Sequence, residues 1–425
     1  MEHTNQSASD SAQAVAAESG SDIYVARHPI FNAKTDLYAY ELLFRSNDEN
    51  SAEFADGTAA SSQVILNAFV DMNFHAIARF HPVFINLTSD FILGELPLPL
   101  DPESLIIEIP EDVVVDDALL RILKNFVRKG YVLAVNNFTP SEDRLPLLQL
   151  VNIVKIDLQR CDRNQLSQQI EALKQYDIKL LAEKIESHED FDWCKTLGFD
   201  YFQGFFFSKP KNFSAQAIKP NRLAVLRLLA SLQDPDCDIR ELEEMISNDV
   251  SMSYKILRII NSALYTMPRT IESVKQAIMA LGLKAIRDWV AIISLTDIDD
   301  KPKELVALSL QRARMTSLLA PTKGIDPDAA FTAGLFSLID VMMDQSMNRI
   351  MGELPLANDI VRALLDREGD LGELLDFVIR YDEGNWDGLE ADFVNSDELR
   401  QHYLDAVEWS SNLINELGSQ SSAAN

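Results

Sequence analysis

Basic residues are scarce in this chain. Its 38 Lys and Arg stand against 66 Asp and Glu, a formal net charge of -28 over 425 residues. A field of that sign repels DNA, RNA and anionic lipid, so no nucleic-acid or membrane partner is expected. Cysteine is scarcer still. Cys161, Cys194 and Cys237 are odd in number and far apart, which gives neither a disulfide framework nor a thiolate metal site. Histidine is missing from the whole stretch between His188 and His402, so that half cannot build an imidazole-rich metal centre. No run approaches about 18 apolar residues without charge, which excludes an expected membrane-spanning helix. No glycine-rich phosphate loop is found. The opening "MEHTNQSASDSAQAVAAESG" has no Lys or Arg and no long apolar stretch, so it does not read as a signal peptide. A cytoplasmic protein is the expectation.

The composition, 47% hydrophobic and 24% charged, suits sizeable cores, and the length suits two or three domains. Residues 1–20 and 418–425 read as disordered tails. Between residues 21 and 210, short apolar runs alternate with helical segments. "IYVARHPIFN" and "DLYAYELLFRS" form a strand pair, and "SSQVILNAFVDMNF" is an amphipathic helix. "PVFINLT", "SLIIEIP", "YVLAVNN", "VNIVKID", "IKLLAEKI" and "FDYFQG" are strands separated by helices or turns. Strands this apolar belong to a parallel sheet covered by helices. Six or seven such repeats fit a compact, irregular (β/α) barrel, with an open doubly wound sheet as its rival. Residues 211–221 read as a linker, where Pro, Lys and Asn interrupt both patterns. Residues 222–417 carry apolar positions only at helical spacing and form an all-α domain.

Residues at the C-terminal ends of barrel strands line the mouth where such folds do chemistry. Here they are Glu41, Asn86, Glu108, Glu111, Asn136, Asn137, Lys155, Asp157, Glu183, Glu186 and Gln203. Acidic and amide groups closing successive strands suit an oxygen site of the Mg²⁺ type, with Lys155 placed to orient water or an anionic oxygen. The plainer reading is that strand ends are polar wherever backbone meets solvent.

"YELLFR", "FINL", "IEIPE", "VNNF", "VKID", "AEKIES" and "YFQGFFFSKP" follow one another as in the EAL family of cyclic-di-GMP phosphodiesterases, which this half resembles. The resemblance implies a TIM-like (β/α) barrel in which two divalent metals cut cyclic-di-GMP to the linear dinucleotide. By it, Glu41, Asn86, Glu108, Asn136 and Asn137 stand at metal-ligand positions. Lys155 and Glu183 stand where the nucleophilic water and second metal are organised, and Arg45, Asp157 and Gln203 at ligand-binding positions. Three departures stand out. Leu42 replaces the alanine of the signature, Lys184 a glycine, and Asn136-Asn137 an aspartate pair. Two dications held about 3.5–4 Å apart need bridging anions, and a carboxamide brings no charge. The metal positions are then vestigial. No cofactor is expected, and Mg²⁺ or Mn²⁺ enters only if phosphodiesterase activity survives.

The helical half, from "LRLLASLQDPDCDIRELEEMISNDVSMSYKILRIINSALY" through "IESVKQAIMALGLKAIRDWV", resembles the HDOD output domain, a relative of the metal-dependent HD phosphohydrolases. Ser337 in "AAFTAGLFSLIDVMM" stands where an active HD protein has histidine. Asp249 and Asp340 read as caps or solvated residues. Asn261 or Ser262 caps a helix–loop–helix surface, and Met342, Met343, Met347 and Met351 fill core or line a groove for a partner helix. His28 and His81, each before a proline, read as turn or surface residues. If Phe205, Phe206 and Phe207 continue a strand, one ring packs outward, against an outer helix or against the helix near Leu223 to Leu229, fixing the two domains as a pair. The expectation is a bacterial signal-transduction protein without catalytic residues, working through protein partners. A cyclic-di-GMP receptor that does not hydrolyse, or a residual phosphodiesterase, are the alternatives.

Overall fold

The structure is a computed structural model describing residues 23–46, 78–79, 81–94, 98, 101–111, 113–138, 144–209, 220–233, 239–262, 265, 267, 269–298, 301–387, 389 and 393–418. The two tails, the stretch "SSQVILNAFVDMNF", Cys237 and most of the expected linker lie outside these residues.

Eight strands close into a barrel in chain order: β1 Ile23–Asn32, β2 Leu37–Ser46, β3 Val83–Asn86, β4 Leu105–Ile109, β5 Val132–Val135, β6 Ile153–Asp157, β7 Lys179–Glu183 and β8 Tyr201–Gln203. The irregularity is β1, which runs antiparallel to both β2 and β8. Helices α1 Ser89–Leu93, α2 Asp117–Arg128, α3 Arg163–Leu173 and α4 His188–Leu197 connect the later strands. Side chains alternate between the two faces of a strand, so each strand contributes to the barrel's interior at every second position. Ile30, Ala39, Phe84, Ile106, Ala134, Ile153 and Leu181 form one apolar interior layer, with Tyr38, Val132 and Tyr201 packed on it.

The remaining helices are α5 Pro220–Gln233, α6 Ile239–Ser247, α7 Val250–Ile260, α8 Val274–Leu281, α9 Leu283–Thr296, α10 Lys303–Leu319, α11 Pro327–Phe336, α12 Ile339–Met343, α13 Met347–Glu353, α14 Asn358–Asp366, α15 Gly369–Asp382 and α16 Ser396–Gly418. The central one is α10, buried nearly all round and packed on α11, α15 and α16. Met342, Met343 and Met351 are buried and Met347 packs against them, so the methionines fill core. Asp249 caps α7 at its N-terminus. Asn261 closes the other end: its amide donates to the Leu257 and Ile271 carbonyls while Oδ1 accepts from the Ile271 N–H.

The three phenylalanines do not continue β8. Gly204, at φ 144°, turns the chain into a 3-10 helix over Phe205–Ser208, and a Cβ there would stand 2.2 Å from the Ile185 carbonyl oxygen. Phe206 stacks on Phe191 of α4 at 4.6 Å and Phe207 meets Phe31 at 4.9 Å, while Phe205 meets His28 edge-on at 5.4 Å. Helix α5 packs instead on α9 and α13.

The domains are joined elsewhere. β8 pairs with β1 only over Ile30–Asn32, which leaves the first half of β1 with one unpaired edge. Such an edge needs covering. Helices α15 and α16 supply it: the Tyr403 hydroxyl accepts from the Arg27 N–H at 3.0 Å and the Tyr381 hydroxyl from Val25 at 3.5 Å. Tyr24 packs on the rings of Tyr381 and Trp386. The Tyr40 hydroxyl donates to Glu304 of α10 at 2.7 Å, and Arg79 reaches the same carboxylate at 2.6 Å.

Candidate functional site

One step above the apolar layer, the same period-two rule places Glu41, Asn86, Glu108, Asn136, Lys155, Glu183 and Gln203, each two residues beyond an interior position of its parallel strand. On antiparallel β1 the corresponding residue lies two before Ile30, which is His28. It pairs in register with Glu41. It is not a turn residue: it lies within β1, is partly buried, and its Nε2 stands 3.0 Å from the Glu383 carbonyl of the helical domain. Collecting residues at strand C-termini misses it, because β1 runs the other way and brings a mid-strand residue to the site.

Lys155 is the centre of the cluster. Fully buried, its Nζ lies 2.9 Å from Glu41 Oε1, 2.7 Å from Glu108 Oε1 and 2.9 Å from Glu183 Oε1. Burial opposes the ammonium, but Glu108, Glu183 and Glu41 together raise its pKa well above the usual value. The three carboxylates are not alike. Burial also opposes the Glu41 anion, yet Lys155 and a short hydrogen bond from the Gln203 amide outweigh it and lower its pKa. Burial raises Glu183, against the pull of Lys155. Glu108 is pushed up to about 8, chiefly by burial, with Glu41 and Glu183 adding to it and Lys155 only partly offsetting it. We assign Glu108 the proton at neutral pH. Its second oxygen, Oε2, is buried without a hydrogen-bond partner among the described residues.

This makes stability pH-dependent. A carboxyl whose pKa rises on folding holds its proton where the unfolded chain has lost it, so its contribution is complete at low pH and lost as pH rises through the folded value. Between pH 7 and 9 ionisation of Glu108 should remove about 1 kcal/mol. Urea midpoints measured across that range should fall, and Glu108→Gln should flatten the slope. An equal slope in the variant would move the effect to another group.

The two asparagines close β5. Asn136 Oδ1 is buried with no hydrogen-bond partner among the described residues, whereas Asn137 Oδ1 accepts the Asp157 N–H at 3.3 Å. Asn137 adopts a φ of 44°, a left-handed conformation that asparagine tolerates. Asp157 is held by Lys184 at 2.8 Å, so that exposed lysine neutralises it. Glu111 and Glu186 are exposed and pair with Arg160 and Lys209. Asn86 stands beside Glu108 in register. Arg45 lies on β2, but its side chain is outside the described residues.

Two adjacent dications do not fit this donor set. The end of β5 offers two neutral carboxamides, one of them bonded to backbone, and the carboxylates facing them already share one ammonium. Among the described residues no group of three or more His, Cys, Asp or Glu is gathered to hold a metal ion.

Comparison with known proteins follows the same division of the chain. The EAL domain family matches residues 13–210 and the HDOD domain family residues 221–353. The uncharacterized protein YuxH of Bacillus subtilis is 32% identical over 404 residues, covering 92% of this chain and 99% of the relative. A Vibrio cholerae protein named cyclic di-GMP phosphodiesterase CdgJ is 32% identical over 406 residues, covering 92% of this chain and 93% of its own length. Among solved structures, a standalone EAL protein from Vibrio cholerae O395 in its c-di-GMP bound form is 24% identical, covering 46% of this chain and 94% of that one with a TM-score of 0.36. Among the described residues no helix is long and apolar enough to cross a membrane.

Proposed function

Because the chain belongs to the family of signalling proteins that join an EAL domain to an HDOD domain, we propose that it is the non-hydrolysing kind, working through protein contacts. The observation that carries this reading is the end of β5, where Asn136 and Asn137 stand in place of charged bridging ligands. Without that charge, repulsion between two closely spaced cations is not offset. The remaining carboxylates, Glu41, Glu183 and Asp157, outnumber Lys155 and Lys184 and present negative charge to an anionic dinucleotide. The residues of the metal and ligand positions are then remnants whose present work is internal charge pairing. The helical half, lacking histidine between His188 and His402, supports no HD-type hydrolysis and serves as the output surface.

A specific observation favours the phosphodiesterase alternative: the Vibrio relative carries that activity in its name. Once Glu108 has lost its proton, its orphaned oxygen and that of Asn136 would accept one cation. One cation supports polarisation but not the paired clamp on attacking and leaving oxygens.

Calorimetric titration of the full chain with cyclic-di-GMP in the presence of Mg²⁺ tests the contact-based reading. A flat trace is expected. A micromolar isotherm that Arg45→Ala weakens would replace it with a receptor.

A further inference from the structure

Between the barrel and the helical domain lies a half-open cavity of about 390 Å³ whose lining includes none of Glu41, Glu108, Lys155 and Glu183. Its barrel wall comes from the segments after β7 and β8, and its helical wall from α10, the α11–α12 junction, α15 and the residue after α14. Lys209, Arg312 and Arg367 all reach it, as do Glu186, Asp340 and Glu383, and Lys209 already pairs with Glu186 at 3.3 Å. Arg312 is already engaged by Asp382 at 3.2 Å and Glu383 at 3.5 Å. Arg367 is different. It sits just past α14 at φ 58°, where glycine is the unstrained choice. The backbone of Gly372 is pressed against it, so that a Cβ on Gly372 would stand 2.3 Å from the Arg367 carbonyl carbon. Among the described residues only Nη1 is hydrogen-bonded, to the Ala363 and Leu364 carbonyls at 2.9 and 3.0 Å. Burial, reinforced by the nearby Arg312 charge, lowers its pKa, while the carboxylates of Asp376, Asp340 and Glu383 only partly offset this.

Ser337 lines the same space. It is 5% exposed, and its Oγ has no hydrogen-bond partner among the described residues. A buried hydroxyl left unpaired is destabilising unless something else meets it. Asp340 adds an acceptor, and Phe205, Leu338 and Ile379 add apolar surface. Cation, hydroxyl, carboxylate and apolar wall are thus separate parts of one cavity. Its volume falls within the range of about 300–1,000 Å³ typical of small-molecule sites, far larger than an inorganic anion needs.

We propose that this interdomain cavity binds a nucleoside monophosphate, with the phosphate on Arg367 and Lys209, the base against the apolar wall, and a base N–H on Asp340. Ser337 Oγ meets the ribose or phosphate. The ligand touches both domains, so its binding stabilises their association. The inference stands apart from the reading of the barrel site.

Thermal unfolding of the full chain with GMP, AMP, UMP, guanosine, ribose 5-phosphate and inorganic phosphate, each at millimolar concentration, tests it. At least one purine monophosphate should raise the midpoint, while guanosine and inorganic phosphate alone should not. Arg367→Gly, which suits the backbone, should abolish the shift, and Ser337→Ala should weaken affinity about tenfold. Asp340→Asn serves as a second variant should Arg367→Gly unfold, and should also weaken binding. Glu41→Ala should leave the shift intact. The proposal is overturned if no monophosphate raises the midpoint, if inorganic phosphate does so equally, if the shift survives in Arg367→Gly and Asp340→Asn, or if Glu41→Ala removes it.

Discussion

Lys155→Met should cost the barrel about 3–5 kcal/mol, the loss expected when one partner of a buried ion pair is removed and its counter-charges stay behind. The side chain is fully buried and faces three carboxylates, Glu41, Glu108 and Glu183. Methionine matches its length and restores the packing, so the loss isolates charge from volume. For a unit of this size each kcal/mol moves the midpoint by roughly 2–4 °C, so a fall on the order of 10 °C is expected. Glu41→Gln placed on the same background should recover part of it, because the carboxylate that Lys155 holds ionised is then gone. Guanidinium titrations of the three proteins measure this directly. Equal stability of wild type and Lys155→Met would show that solvent, not Lys155, compensates the acids.

The second large effect lies at the domain junction. Glu304→Ala should leave the Arg79 guanidinium without its 2.6 Å partner and the buried Tyr40 hydroxyl without an acceptor. Removing one member of such a group should cost about 3 kcal/mol, with Tyr40→Phe costing nearer 1 kcal/mol. The contact spans the two domains, so the loss should also change the shape of unfolding. Wild type should melt with the domains coupled, and Glu304→Ala should separate the transition into two, measured by calorimetry. A single unshifted transition in the variant would mean that Tyr381, Tyr403 and the β1 edge hold the pair without Glu304. The tightness there is also visible at Gly384, where a Cβ would stand 2.7 Å from Leu43 Cδ1 on β2.

Much of the barrel was readable because its strands are short apolar runs with polar ends, and a period of two then assigns Glu41, Glu108, Lys155 and Glu183 to one layer. His28 was not readable by that rule. Its strand runs the other way, and the proline after it suggested a turn. Gly204 was a signal that "YFQGFFF" could not be one strand, since only glycine sits comfortably at φ 144°. The domain contact left no local pattern at all. Tyr381 and Tyr403 donate no periodicity to β1; they meet its backbone from more than 350 positions away. The charge of the Lys155 cluster was legible as a list of residues, but which acid keeps a proton depends on burial, which sequence does not state. Asn136 and Asn137 were legible directly, because a change from anion to amide is chemistry written in the residue type.

The most direct measurement of the central claim is cyclic-di-GMP turnover followed by chromatography with Mg²⁺ or Mn²⁺, on wild type, Glu41→Ala and Asn136→Asp/Asn137→Asp in parallel. The account predicts intact dinucleotide with wild type and with Glu41→Ala, and metal-dependent cleavage, if it appears in any of the three, only where both carboxylates are restored. Rapid metal-dependent turnover by the wild-type chain, abolished by Glu41→Ala, would contradict it.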